Sequence, residues 1–572
     1  MLAFNTRMRA TTAEIEMARD TLYANGALYT VDAANPVAEA MLVRGDRIVA
    51  VGSSSSVRAQ ASKDPEIVDL QGRFAMPAFI DAHVHFAWGS KYLDEVRLRE
   101  AKTFGDVLTR LKVYSHANPD RAWIVGSEFS YGYPDLPEGG FHKSLLDQVV
   151  ADRPVFFRSG MAHAAWVNSK ALELAGISRD TPDPEGGEIV RDARGEPTGW
   201  LKEKAWSKFE ALVSQPSQSD MRSALLSAIK EANRLGLSRV QSAGMDDEAV
   251  PLLAEIFANG ELSLRFSLSS IVNPDSNIDE VIARVSGWRD DLDPDFLDGR
   301  VIKFFLDGVL ESHTGFMPQG YADRPGETGT CLWKAAAYNA AVSRAQQEGF
   351  QVWTHAIGTG AIEMALDAYA ADGERSRRCR PRVEHCEIPT ARDIERFGEI
   401  GAIASFQPAM IYPRDQWLGM EGVWEVRVGS ESLPRAFPVR SILEAGGAVA
   451  FGTDWPIVDL NPLIGIRNAV LRQSLDHQPE TGWVPQQRIT VAQALHAYTL
   501  GAAFAGHREK DEGSLAAGKL ADFIVLSVDP LQVEPHRIAD IKVLKTIVGG
   551  KPVWEEPAAE TASWGVDGSD GI

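Results

Sequence analysis

Three cysteines in 572 residues, Cys331, Cys379 and Cys386, form no CxxC pair and no even set, which excludes a disulfide framework and a thiolate zinc site. They read as small, reduced, buried residues. Positive charge is also scarce: 58 Lys and Arg stand against 79 Asp and Glu, a formal net charge of -21. Such a surface repels phosphate backbones and anionic headgroups, and no Lys/Arg run offsets it locally, so neither nucleic acid nor a membrane is an expected partner. No apolar run approaches the roughly 20 residues needed to cross a bilayer. Residues 1–20 carry Arg7, Arg9, Glu14, Glu16, Arg19 and Asp20 and lack the apolar stretch of a secretory signal. The expectation is a cytoplasmic protein acting on a small molecule, with a homodimer left open.

What is present is too long for one core. Thr21 to Met76 reads as short strands with Asn-Gly and Gly-Asp turns, and "GSLAAGKLADFIVLSVDP" and "IKVLKTIVGGKPVW" repeat that texture near the other end. The two ends together suggest one small β domain, 21–76 plus 505–556, with 1–20 and 557–572 as flexible termini. Between them, 77–504, short apolar segments alternate with helical patterns, the signature of βα units. Eight candidate strands can be counted: Met76 to Phe86, Leu237 to Gly244, Leu262 to Ile271, Arg300 to Gly308, Phe350 to Gly358, Arg380 to Ile388, Gly401 to Pro408 and Gly447 to Pro456. Eight units predict a closed α/β barrel, a (β/α)8 TIM fold. About 150 residues separate the first two strands, too many for one crossover, so about 87–215 is expected to be an inserted cap over the barrel mouth.

Active sites of such barrels lie at the C-terminal strand ends. His83 and His85 close the first candidate strand, Lys303 and Asp307 lie in the fourth, His355 ends the fifth, His385 the sixth and Asp454 the eighth. Residues i and i+2 of a strand share a side, so His83 and His85 can grip one ion, with His355, His385 and Asp454 converging from neighbouring strands. Imidazole plus carboxylate with an open position is zinc-type coordination. Four of only twelve histidines fall at these ends, which sets the group apart from a lone HxH. Lys303 has two readings on spacing alone. An ammonium beside a dication would be repelled, whereas its carbamate would be an anionic donor able to bridge two metals; alternatively the ammonium pairs with Asp307 on the same face.

At these residues the sequence resembles the amidohydrolase superfamily, in the amidohydrolase-3 branch that includes YtcJ-like proteins and N-substituted formamide deformylase. The resemblance runs from about Thr21 to Trp554 and is carried by "MPAFIDAHVHF", "RPVFFRSGMAHAAWVNSKALELAGI", "TPDPEGGEIVRDARGEPTGWLKE", "VIKFFLDGVLESHTG", "THAIGTGAIEMALDAY", "RPRVEHCEIPTARDIERF", "FGTDWPI" and "GSLAAGKLADFIVL". It implies a (β/α)8 barrel, a β-sandwich assembled from both termini and an insertion after the first strand. It further implies that His83, His85, His355, His385 and Asp454 match the family's metal positions and that Lys303 matches its bridging, carboxylated lysine. Ala78, Ala162 and Thr359 depart from the family pattern without touching a ligand position.

The expected chemistry is hydrolysis of a C–N bond, in an amide, N-acyl compound or formamide, by a water activated on one or two divalent ions, zinc first among them. Asp454 is the expected proton carrier, and His355 or His385 the group facing the developing oxyanion. Trp88, Phe129, Tyr131, Tyr133, Trp166, Phe316, Tyr412, Trp417, Trp424 and Trp455 favour an apolar or aromatic substrate. Glu128, His163, Asp307, Glu311 and His313 are candidate polar contacts. Two rivals are a lyase or isomerase on the same metal barrel and a catalytically silent regulatory or binding protein.

Overall fold

The computed structural model describes residues 19–557 except 94, 100, 131, 160–163, 185–186, 214–216, 245–246 and 412–421. His163, Tyr131, Tyr412 and Trp417 therefore lie outside the described residues, as do the expected flexible termini apart from Arg19, Asp20 and Pro557. Asp20 itself opens a strand, Asp20–Ala24, where its buried carboxylate accepts from Arg44 Nε at 2.7 Å.

Eight parallel strands form one sheet in sequential order: β1 (Phe79–Val84), β2 (Leu237–Ser242), β3 (Arg265–Val272), β4 (Leu297–Phe305), β5 (Gln351–Ala356), β6 (Arg382–His385), β7 (Ile403–Phe406) and β8 (Ala448–Phe451). Each matches one expected segment. They are buried on both faces, as strands walled in by helices must be; helices Gln218–Arg234 and Ala335–Gln347 are two of those walls. The protein is a (β/α)8 barrel. Among the described residues no ladder joins β8 to β1. Polar contacts close the seam instead: Asp454 N–H donates to His83 O at 2.6 Å, and the Asp81 carboxylate accepts from Thr453 N–H at 3.0 Å and its hydroxyl at 2.6 Å. Gly452 permits the approach, since a Cβ there would stand 2.3 Å from His83 N.

The first expected strand, Met76 to Phe86, divides at Ala78. Phe74–Pro77 belongs instead to a six-stranded sheet in which it pairs antiparallel with Phe523–Leu526, Met76 opposite Ile524. Residues from both ends of the chain thus share a sheet. A second sheet of four strands, from Asp20 to Asp69, packs on it through Tyr23, Met41, Val43, Leu70, Phe523 and Ile547. This is the two-ended β domain, sewn to the barrel by the buried pair Arg265–Asp522 at 2.7 Å.

The insertion after β1 has its own six-stranded mixed sheet, Val96 to Glu203, and its own aromatic core around Phe104, Phe141 and Trp166. Arg99 joins it to the barrel mouth. One guanidinium nitrogen donates to Glu128 and to the carbonyls of Pro456 (2.8 Å) and Ile457 (2.6 Å), just beyond Asp454. No helix among the described residues is long and apolar enough to cross a membrane.

Candidate metal centre

Strand register brings the ligand-type residues level. Phe305 pairs with His355, Ala356 with His385, and Lys303 with Trp353, so Lys303 lies a layer below the two histidines. His83, His385 and Asp454 form one cluster with ligand atoms all within 4.8 Å of one another. His85 joins through Nε2, 3.1 Å from Asp454 Oδ1, and His83 Nε2 reaches the same oxygen at 3.3 Å. The His355 ring stacks edge-on with His385 at 4.5 Å between centroids, while its Nε2 faces Gly308 O at 3.1 Å. His385 and Asp454 hold left-handed backbone, φ 70° and 62°, a conformation unfavourable for either residue that aims both side chains into the mouth.

His83 Nε2, His85 Nδ1, His385 Nδ1, Asp454 Oδ1 and Lys303 Nζ are buried without an aligned hydrogen-bond partner among the described residues. The ligand atoms of His83, His385 and Asp454, gathered within 4.8 Å of one another, fit a divalent cation in kind. The ionisation fits as well. Burial pushes the His85 and His385 imidazoles below their usual range and His355 to about 3, so all three are neutral and able to ligate. Burial disfavours the Asp454 carboxylate, but His83 and His85 outweigh it and hold that carboxyl well below its usual range. Burial brings Lys303 down to about 8.

A network the sequence reading missed sits behind the ligands. Glu384 Oε2 lies 2.5 Å from His83 Nδ1, which fixes Nδ1 as the protonated nitrogen and leaves the Nε2 lone pair facing the cluster. Arg382 grips Glu384 with Nε (2.8 Å) and a terminal nitrogen (3.0 Å), donates also to Gln241, Ala82 O and Ser405, and lies 4.0 Å over the Trp353 ring. Burial works against the Glu384 carboxylate, yet Arg382 and His83 hold it well below the usual range. The signal was available: Arg382 and Glu384 alternate in "RPRVEHCEI", both charged and both in a strand expected to be walled in.

The remaining candidates distribute differently. Asp307 does not pair with Lys303: its carboxylate accepts from Phe316 N–H (2.8 Å), Ile357 N–H (3.1 Å) and Gly358 N–H (2.8 Å), which ties the loops after β4 and β5. Glu128 is held by Arg99. His313 Nε2 meets Asp323 at 3.0 Å and its ring packs on Tyr321. Glu311 is half-buried, its Oε2 covered and without a partner among the described residues, and its carboxyl is pushed up by burial. It stands near Glu387, a further buried carboxyl that accepts from Trp424 Nε1 at 2.8 Å. Trp88 packs edge-on to His85 at 5.7 Å, and Trp455 lies 5.7 Å from Phe86. Of the other aromatics, Phe129, Tyr133 and Trp166 belong to the core of the inserted unit, not to the mouth.

A barrel with metal-type residues gathered at its C-terminal mouth suits a metal-dependent enzyme, and comparison with known proteins gives the family. The amidohydrolase family, in its amidohydrolase-3 branch, matches residues 66–554, and the chain belongs to it. YtcJ of Bacillus subtilis (strain 168) is 30% identical over 544 residues, 94% of this chain and 99% of that one. N-substituted formamide deformylase of Arthrobacter pascens is 29% identical over 542 residues, 93% and 98%. The crystal structure of an uncharacterized metal-dependent hydrolase from Pyrococcus furiosus superposes with a TM-score of 0.70 at 26% identity, covering 90% of this chain and 100% of that one.

Proposed function

We propose that the protein hydrolyses a C–N bond, in an amide, N-acyl compound or formamide, of a small molecule with an apolar or aromatic portion. The observation that carries this reading is the convergence of a ligand atom from each of His83, His385 and Asp454, all buried, within 4.8 Å of one another. His83, His85, His355, His385 and Asp454 would hold the metal, zinc by the character of the donors, with carboxylated Lys303 as an anionic donor where two ions are bound. Carboxylation needs only carbon dioxide: the neutral Lys303 amine forms the N–C bond and releases a proton. A divalent ion there would lower the pKa of water and polarise the scissile carbonyl.

The chain's own residues supply the rest. The Asp454 carboxylate takes a proton from the attacking water and returns it to the leaving nitrogen. His355 or His385, whichever keeps a ring N–H free of the metal, faces the carbonyl oxygen as charge develops on it. Glu384 keeps His83 in one tautomer, and Trp88 and Trp455 supply apolar wall beside the ligands. The formamide in the name of the Arthrobacter pascens relative adds weight to the substrate class.

The test is incubation of the metal-loaded protein with N-formyl, N-acyl, cyclic-amide and ester compounds bearing aromatic or aliphatic groups, with products followed by mass. Acid and amine from at least one amide supports the reading. Turnover of esters alone, or a product isomeric with its substrate, overturns it.

A further inference from the structure

At the barrel end opposite the metal centre a cavity of about 430 Å³ reaches into the interior. Its inner wall is Trp353, which precedes His355 by two residues and so points into the barrel one layer below it. The Trp353 indole is fully buried, and its Nε1, which can only donate, finds no acceptor among the described residues. Gln346 lines the same cavity, 2% exposed; its Oε1 accepts from Ser376, but its Nε2 has no partner among the described residues. Two buried donors on one cavity are unusual, because buried polar groups are almost always paired.

The outer wall is basic. Arg300, Arg375 and Arg378 line it, and Asp298 is the only carboxylate among the lining residues. Arg300 takes up Asp298 at 2.9 Å, and Arg375 reaches Asp372 at only 3.4 Å. This patch runs against the charge of a chain that carries -21 overall. A cavity of this volume falls in the range of small-molecule sites, about 300–1,000 Å³.

We propose that this cavity is a second ligand site, separate from the metal centre, that binds a small organic anion. Its carboxylate or phosphate meets the guanidinium groups at the entrance, and a second acceptor atom meets Trp353 Nε1 and the Gln346 amide within. Arginine forks suit both kinds of anion. The inner wall also touches the catalytic end: Trp353 underlies Arg382, Arg382 holds Glu384, and Glu384 holds His83. An occupant therefore braces the network that orients a ligand.

Calorimetric titration of the metal-loaded protein with inorganic phosphate, glycerol 3-phosphate and succinate tests the site, with glycerol and ethylammonium as neutral and cationic controls. The two phosphates against succinate separate the phosphate arm from the carboxylate arm. The variants are Arg378→Gln and Gln346→Leu, neither of which touches the metal ligands, with metal content and thermal midpoint measured alongside. The expected result is saturable binding of at least one anion, weakened about tenfold or more in each variant while metal content stays unchanged. No binding of any of the three anions overturns the proposal. Equal binding by wild type and both variants, which places the anion elsewhere, or equal binding of the cation does the same.

Discussion

Replacing Glu384 by Gln probes the metal centre without touching a ligand. In the wild type the Glu384 carboxylate accepts the proton of His83 Nδ1 and both prongs of Arg382, all three side chains being fully buried. The amide keeps one acceptor oxygen and turns an NH2 group toward either His83 or Arg382, both of which are donors. Loss of the carboxylate partner of a metal-ligating histidine costs about 10- to 100-fold in metal affinity, equivalent to about 1.4–2.7 kcal/mol. Stability falls too, since severing a buried ion pair costs about 3–5 kcal/mol when no other partner remains. Arg382 retains Gln241, Ala82 O and Ser405, so a loss at the lower end is expected. The pH dependence has a definite sign. A carboxyl held below its usual 4.5 stabilises the fold above that pH, and the contribution disappears as pH falls through the folded value. The wild type should therefore lose stability in acid more steeply than Glu384→Gln. Chelator-competition titration gives the affinity, and thermal unfolding of metal-free protein across pH gives the stability. Metal affinity within twofold of wild type, in a folded variant, would refute the assignment of Glu384 as the group that orients His83.

Asp454→Asn should lower turnover about 10²- to 10⁴-fold in metal-loaded protein, and retention of more than about a tenth of the wild-type rate contradicts its role as proton carrier. Lys303→Ala should lower metal content and activity together, with short carboxylic acids in solution restoring part of both; unchanged metal content sinks the carbamate. Arg99→Ala removes the contacts from the inserted unit to Pro456 and Ile457, so KM should rise more than kcat falls, and unchanged steady-state kinetics would show that these contacts do not shape the site. Gly452→Ala places a Cβ 2.3 Å from His83 N and should depress both thermal stability and metal content; a variant with wild-type values for both would contradict the tight β1–β8 seam.

The barrel was readable because its strands are short apolar runs spaced by helical patterns, and metal-type residues at their ends pointed to the mouth where His83, His385 and Asp454 gather. The candidate ligands stand out by type, since four of only twelve histidines fall at these strand ends. What stayed hidden was partnership. The sequence offers Asp307 as a partner for Lys303, but the loops after β4 and β5 bring three backbone N–H groups to that carboxylate first. Glu384 sits beside His385 in sequence yet serves His83, 301 residues away, a pairing set by barrel closure. Phe129, Tyr133 and Trp166 read as pocket aromatics because periodicity cannot separate the core of an inserted sheet from a substrate wall. The break at Ala78 falls two residues past the expected boundary at Met76, inside a segment read as one strand because Met76, Pro77, Ala78, Phe79 and Ile80 run on without a polar residue.

The central claim is that this cluster holds a metal on which turnover depends. Elemental analysis of the purified protein, before and after chelation and on adding back each of zinc, manganese, iron, cobalt and nickel, with amide hydrolysis measured on the same samples, tests it most directly. The account predicts at least one equivalent of divalent metal per chain, loss of hydrolysis on its removal and recovery on its return. Full hydrolytic activity in protein stripped of metal would contradict it.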